Sequence, residues 1–140
     1  MNIRLLRLAS NALPIGSFAH SQGIESASQQ GLVSDEESVC LWLEGVYRAG
    51  LGKTELPILK GLYGAWSDGD DLKIAHLNSL MLAGRETKEL WLEDQRLGAA
   101  LKKILDEDAP LFRQAVVNGP QSLVSQWARA AVMWRIDENA

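Results

Sequence analysis

Apolar residues recur at three- and four-residue spacing through most of the chain, the period of one face of an α-helix. The exception lies at the start. Residues 5–25, LLRLASNALPIGSFAHSQGIE, are too apolar for a surface loop yet carry Pro14, Gly16 and Gly23, each of which weakens or ends a helix. This segment predicts a specified bend joining two short helices. Ser34-Asp35-Glu36-Glu37 then fits a capping box in which Ser34 and Glu37 satisfy each other's backbone. Val39, Trp42, Leu43, Val46 and Tyr47 follow on a single helix face, and Gly50 and Gly52 end that helix.

Thr54 caps the next helix, with Pro57 tolerated in its first turn and Leu59, Leu62, Tyr63 and Trp66 on one side. Ser67-Asp68-Gly69-Asp70 reads as a turn. A third helix is expected over residues 72–82 and a long one over 85–105, with Leu90, Leu97, Leu101 and Leu105 near one stripe. Whether Gly84 separates these two is left open by the sequence. Residues 106–110 form a break and 111–117 a short helix, punctuated by Asn118-Gly119-Pro120. Leu123, Trp127, Ala131 and Trp134 make a last apolar stripe. No segment alternates with period two between turn signals, so strands are not expected. The pattern predicts an all-α protein, a compact orthogonal bundle of six to seven helices forming one domain over residues 1–140.

Composition narrows the class. Hydrophobic residues make up 46% and charged residues 23%, as in an ordinary globular protein, and apolar runs are too short to span a membrane. Arg4 and Arg7 interrupt the first apolar stretch, which therefore does not resemble a secretory signal. Cys40 is the single cysteine, which excludes an internal disulfide and a Cys-rich metal site. These features favour the cytoplasm. The formal net charge of −4 and the lack of a basic patch argue against nucleic-acid binding.

Catalytic motifs are approached but not completed. Gly50-Leu51-Gly52-Lys53-Thr54 looks like the end of a phosphate-binding loop, but that loop needs glycine where Tyr47 stands and should follow a strand. Ser17, His20 and Ser21 lie close together without the Gly-x-Ser-x-Gly spacing of a nucleophile elbow. A hydrolase using Ser17 or Ser21 with His20 is the weakest function class for this chain. His20, His76 and Cys40 are not paired at ligand spacing, so no metal or other cofactor is expected. The runs Arg85-Glu86-Thr87-Lys88-Glu89 and Glu93-Asp94-Gln95-Arg96 read as a solvated helix face or as a polar docking face; pairs within it are worth only about 0.2–0.5 kcal/mol each. Trp42 and Trp66 sit on apolar faces and are expected in the core. Consecutive Leu90, Trp91 and Leu92 point in different directions, so at least one is exposed or meets a partner.

The residues carry a resemblance as well. Leu13, Pro14, Ile15, Gly16, Phe18, His20, Ser21, Gly23 and Glu25 resemble the N-terminal signature of the urease accessory protein UreF family. RETKELWLEDQRLGAAL, residues 85–101, is similar to that family's Arg-Glu-Thr helix, and Trp134-Arg135-Ile136-Asp137 to the start of the segment leading into its C-terminal half. Asn11, Gly84 and Trp91 depart from residues common in the family, which also continues past the position of Ala140 through further helices and a tail. A truncated family member is therefore expected.

The resemblance implies a non-enzymatic, all-helical part of the nickel-delivery machinery. Such a protein bridges UreD (also called UreH) and the GTPase UreG on the way to apo-urease, gates GTP hydrolysis and can form a homodimer. By the same resemblance, partner binding falls to Leu13, Pro14, Ile15, Gly16, Phe18, His20, Ser21, Gly23 and Glu25, and to Arg85, Glu86, Thr87 and Glu89. The alternative is a helical interaction or regulatory domain with no link to nickel.

Overall fold

The computed structural model describes residues 3–17, 23–112, 115 and 117–137. Among them are seven α-helices: α1 (Ile3–Leu8), α2 (Ile24–Gln29), α3 (Glu36–Val46), α4 (Glu55–Asp68), α5 (Asp71–Ala83), α6 (Lys88–Asp108) and α7 (Leu123–Met133). No strand occurs among the described residues, so the chain is an all-α bundle.

Local signals set most of the ends, though not always in the expected register. The box that starts α3 is built one residue later than the sequence suggested. Asp35 Oδ1 accepts from Ser38 N at 2.8 Å and Ser38 Oγ accepts from Asp35 N at 3.0 Å. Both Ser34 and Asp35 are good cap residues, and the extended backbone of Asp35 (φ −148°, ψ 176°) selects the second. The expected stop at Gly50 and Gly52 is instead a π-helical turn, Tyr47–Leu51, closed by Gly52 N donating to Tyr47 O at 2.7 Å. Thr54 does not cap α4 with its side chain; its hydroxyl donates back to Gly50 O at 2.9 Å.

Gly69, in the left-handed region (φ 75°), ends α4, and Asp70 caps α5 by accepting from Lys73 N at 3.0 Å. Gly84 does separate α5 from α6, which starts only at Lys88 behind the cap residue Thr87. At its other end α6 runs on to Asp108, through the expected break. The short helix expected over 111–117 is not formed at its described residues, which are turn or irregular; Arg113, Gln114 and Val116 lie outside them.

α7 is the central element. It packs against α4, α5, α6 and α1, and its consecutive turns feed two apolar clusters. Ala130 joins Leu8, Leu13, Ile15, Leu101, Leu105 and Ile136, whereas Ala128 joins Leu62, Ala65, Trp66 and Ile74. Small residues on α7 let both neighbours approach, and each fully buried Leu or Ile contributes about 1.5–3 kcal/mol. The far end of α7 is stitched down as well: Arg4 Nη1 donates to Trp134 O at 2.5 Å, and Tyr63 Oη donates to Ile136 O at 2.9 Å.

α3 behaves differently. None of its residues is buried, and the face expected in the core is largely in solvent, with Leu43 and Tyr47 about half exposed. Trp42 is only half-buried, unlike Trp66, because α3 meets no second apolar surface among the described residues.

The closest backbone approach is between α6 and the entry to α7. A Cβ at Gly98 would stand 2.1 Å from Gln121 O and 2.9 Å from Ser122 C, so only glycine fits. Gly98→Ala should lower unfolding stability in urea by about 1–3 kcal/mol or more, because rigid backbone must move. Gly64→Ala in α4, where an added Cβ meets nothing within 4 Å, should raise it by about 0.5–1 kcal/mol.

Candidate interaction surface

The two sequence segments singled out for partner binding divide between interior and surface. In the N-terminal bend, Leu13 (5% exposed) and Ile15 (7% exposed) insert into the cluster around Leu101 and Leu105. Alternation turns Pro14 and Gly16 outward. Gly16 (φ 80°) and Gly23 (φ 94°) hold left-handed backbone conformations that a side chain would strain. Gly23 and Glu25 are exposed; Phe18, His20 and Ser21 lie outside the described residues. The bend is thus a plug with an outer edge, and Pro14, Gly16, Gly23 and Glu25 are the described members that a partner can reach.

The second segment is similarly split. Arg85 is mostly enclosed: Nε donates to Asp94 Oδ2 and Nη1 to Glu55 Oε1, both at 2.7 Å. Burial opposes its charge, but hydrogen bonds and attraction from Asp94 and Glu55 outweigh this and move its pKa up. Asp94 spends its other oxygen on the start of α7, accepting from Leu123 N at 2.6 Å. Beside it, Asn78 of α5 accepts from Ser122 N at 2.8 Å and donates to Pro120 O at 3.0 Å. The carboxylate at Asp94 faces the amide end of α7, where negative charge is favoured. Arg85 therefore joins α4, α6 and the head of α7. Thr87 is occupied too, as the α6 cap accepting from Leu90 N at 3.2 Å. Glu86 and Glu89 are exposed, next to exposed Leu90, Trp91 and Leu92. That acidic and apolar corner is the part of the segment open to a partner.

Asp94 was placed by the sequence reading on a solvated face, yet it is 4% exposed. The overlooked signal is its spacing: it falls four residues after Leu90 and three before Leu97, on the apolar stripe of α6 itself. Arg129 of α7 was overlooked as well. It is 1% exposed, lies 5.7 Å from the centre of the Trp66 ring, and approaches Asp106 Oδ1 at 2.8 Å. This approach is off the line of a hydrogen bond, so charge holds the pair.

Chemistry is harder to assemble here. In the glycine-rich turn, the amides of Gly52, Lys53 and Thr54 donate to Tyr47 O, Gly50 O and Gly50 O, so none of the three points outward to cradle a phosphate. Among the described residues no three His, Cys, Asp or Glu side chains gather to hold a metal ion, and no helix is long and apolar enough to cross a membrane.

Comparison with known proteins supplies the deciding observation. The profile of the UreF family matches residues 33–140. The chain belongs to the UreF family. It is 42% identical over 135 residues to a protein of Hahella chejuensis named urease accessory protein UreF, covering 96% of this chain and 61% of that one. A protein of the same name from Marinobacter nauticus is 44% identical over 132 residues, 94% of this chain and 57% of its own. Another from Chromohalobacter salexigens is 50% identical over 101 residues, covering 72% and 44% respectively. This UreF chain spans about three fifths of the length of the first two relatives.

The geometry separates architecture from surface within the segment that carries the family resemblance. Asp94→Ala should destabilise the chain by roughly 3 kcal/mol in chemical denaturation, the low end for a broken buried pair because Arg85 keeps Glu55. Glu89→Lys should stay within about 0.5 kcal/mol of the parent.

Asp106 adds a pH signature. Burial pushes its carboxyl up, but the Lys102 hydrogen bond and the Arg129 charge outweigh that and hold it below its ordinary value of 3.8. A depressed carboxylate stabilises the fold above its unfolded pKa and loses that contribution as pH falls through the folded pKa. Asp106→Asn should therefore be less stable than the parent at pH 7, with the gap closing only below about pH 4. Thermal melts of both chains across pH check this.

Proposed function

We propose that this chain is a non-catalytic helical adaptor in urease maturation. In this reading it bridges UreD (also called UreH) and the GTPase UreG while nickel, the cargo, is delivered to apo-urease, and it gates GTP hydrolysis by UreG. It works in the cytoplasm, and residues 1–140 act as one helical domain. The observation that carries the reading is the UreF family match over residues 33–140, with relatives named urease accessory proteins.

The surface supports an adaptor over a catalyst. Polar groups at the heart of the fold are committed to one another, as with Arg85, Asp94 and Asn78. Exposed apolar and acidic groups are instead concentrated at the head of α6, around Glu86, Glu89 and Trp91, and along the outer edge of the N-terminal bend. Aromatic and acidic side chains displayed together on rigid helices suit protein docking.

Co-purification with UreD and with UreG tests the reading directly. The chain should be retained by at least one of them, and no binding to either would overturn the proposal. Glu86→Lys with Glu89→Lys should weaken retention several-fold while leaving far-ultraviolet helicity unchanged. Loss of helicity in that variant would return the two residues to a structural role.

A further inference from the structure

α3 and the π turn behind it form an arm whose apolar face has no cover among the described residues. α3 packs on the π turn rather than on the bundle, and none of its side chains is buried. One line along the arm holds Leu43 (50% exposed), Tyr47 (54%) and Leu51 (39%), flanked by Val46 (38%). These are three- and four-residue steps, so the side chains form a continuous stripe. Large exposed apolar stripes of this kind mark interaction sites on soluble proteins.

The ends of the arm carry opposite charge. Exposed Asp35, Glu36 and Glu37 stand at its start, and exposed Arg48 and Lys53 at its finish. A surface with this polarity complements an antiparallel copy of itself. Turned about a two-fold axis between Trp42 and Leu43, one arm sets Val39 level with Val46 of the other copy and Glu37 level with its Arg48. A parallel pairing would bring the acidic ends together, which charge disfavours. Arg48 already makes an exposed pair with Glu44 at 2.6 Å, so it sits on the flank of the stripe and not under it.

We propose that the α3–π face is a self-association surface, on which a second copy of this chain docks antiparallel to give a closed two-fold dimer. Such a pairing is isologous, so each arm contributes the same stripe and the assembly stops at two copies. It is independent of the adaptor reading, because it is measured on the chain alone.

Sedimentation velocity of the full chain over a wide concentration range tests the proposal. The chain should show a concentration-dependent shift from monomer to dimer. Leu43→Asp with Tyr47→Asp should abolish the dimer, while Leu72→Asp on the exposed outer side of α5 should leave it intact. Arg48→Glu alone should weaken the dimer roughly ten-fold by setting like charges opposite Glu37, and Glu37→Lys added to it should restore association. Because both charged residues are exposed, this pair of variants decides the matter even if the apolar variants lose helicity. A chain that stays monomeric at every concentration, a dimer indifferent to Leu43→Asp with Tyr47→Asp, or a charge-swapped double variant weaker than the single one would each overturn the proposal.

Discussion

The bundle depends on how the head of α7 is received. A helix start leaves amides without partners, and burying it is costly unless other elements supply acceptors. Here α6 supplies Asp94 and α5 supplies Asn78, which take the amides of Leu123 and Ser122, while Ser122 Oγ accepts from Ser125 N at 3.1 Å. Gly98 gives the entering backbone room to lie against α6. With its head fixed in this way, α7 can run between the two apolar clusters and serve both. Removing any one of these groups would leave a buried donor unpaired or force two backbones apart.

That constraint clarifies the segment most reminiscent of the UreF family. Its arginine looks from the sequence like a docking residue, but its guanidinium bridges Glu55 and Asp94 and so props the carboxylate that receives α7. The residues beside it, Glu86 and Glu89, stay outside. The N-terminal bend follows the same division, with Leu13 and Ile15 in the core and Pro14 and Gly16 on its rim. Both motifs therefore have a structural half and a displayed half. An adaptor needs this arrangement, since a rigid interior is what holds an exposed surface in one shape.

The helical period made most of the fold legible. The stripe of Leu97, Leu101 and Leu105 is buried as its spacing demanded, and Leu90, Trp91 and Leu92, three neighbours that cannot share a face, all emerge at the surface. Helix ends were less legible, because neighbouring residues such as Ser34 and Asp35 offer competing caps and only the backbone geometry chooses. Tertiary pairing of polar groups was least legible. Nothing local announces that Asn78 will meet Pro120 and Ser122, or that Arg129 will lie beside Trp66, since these contacts join distant positions of the chain. Asp94 is the instructive intermediate case: a charge on an apolar stripe is visible in the sequence, and it signals a buried partner rather than a solvated face. α3 fails in the opposite sense, for its amphipathic pattern is real but no neighbour within the described bundle covers it.

Native-state hydrogen exchange reads the central claim most directly. If the head of α7 is the keystone, the amides of Ser122 and Leu123 should exchange only through global unfolding, with the same free energy as amides in the middle of α6. Amides of α3 should open locally at much lower cost. Exchange at Ser122 and Leu123 as fast as in α3, with the middle of α6 still protected, would contradict the account.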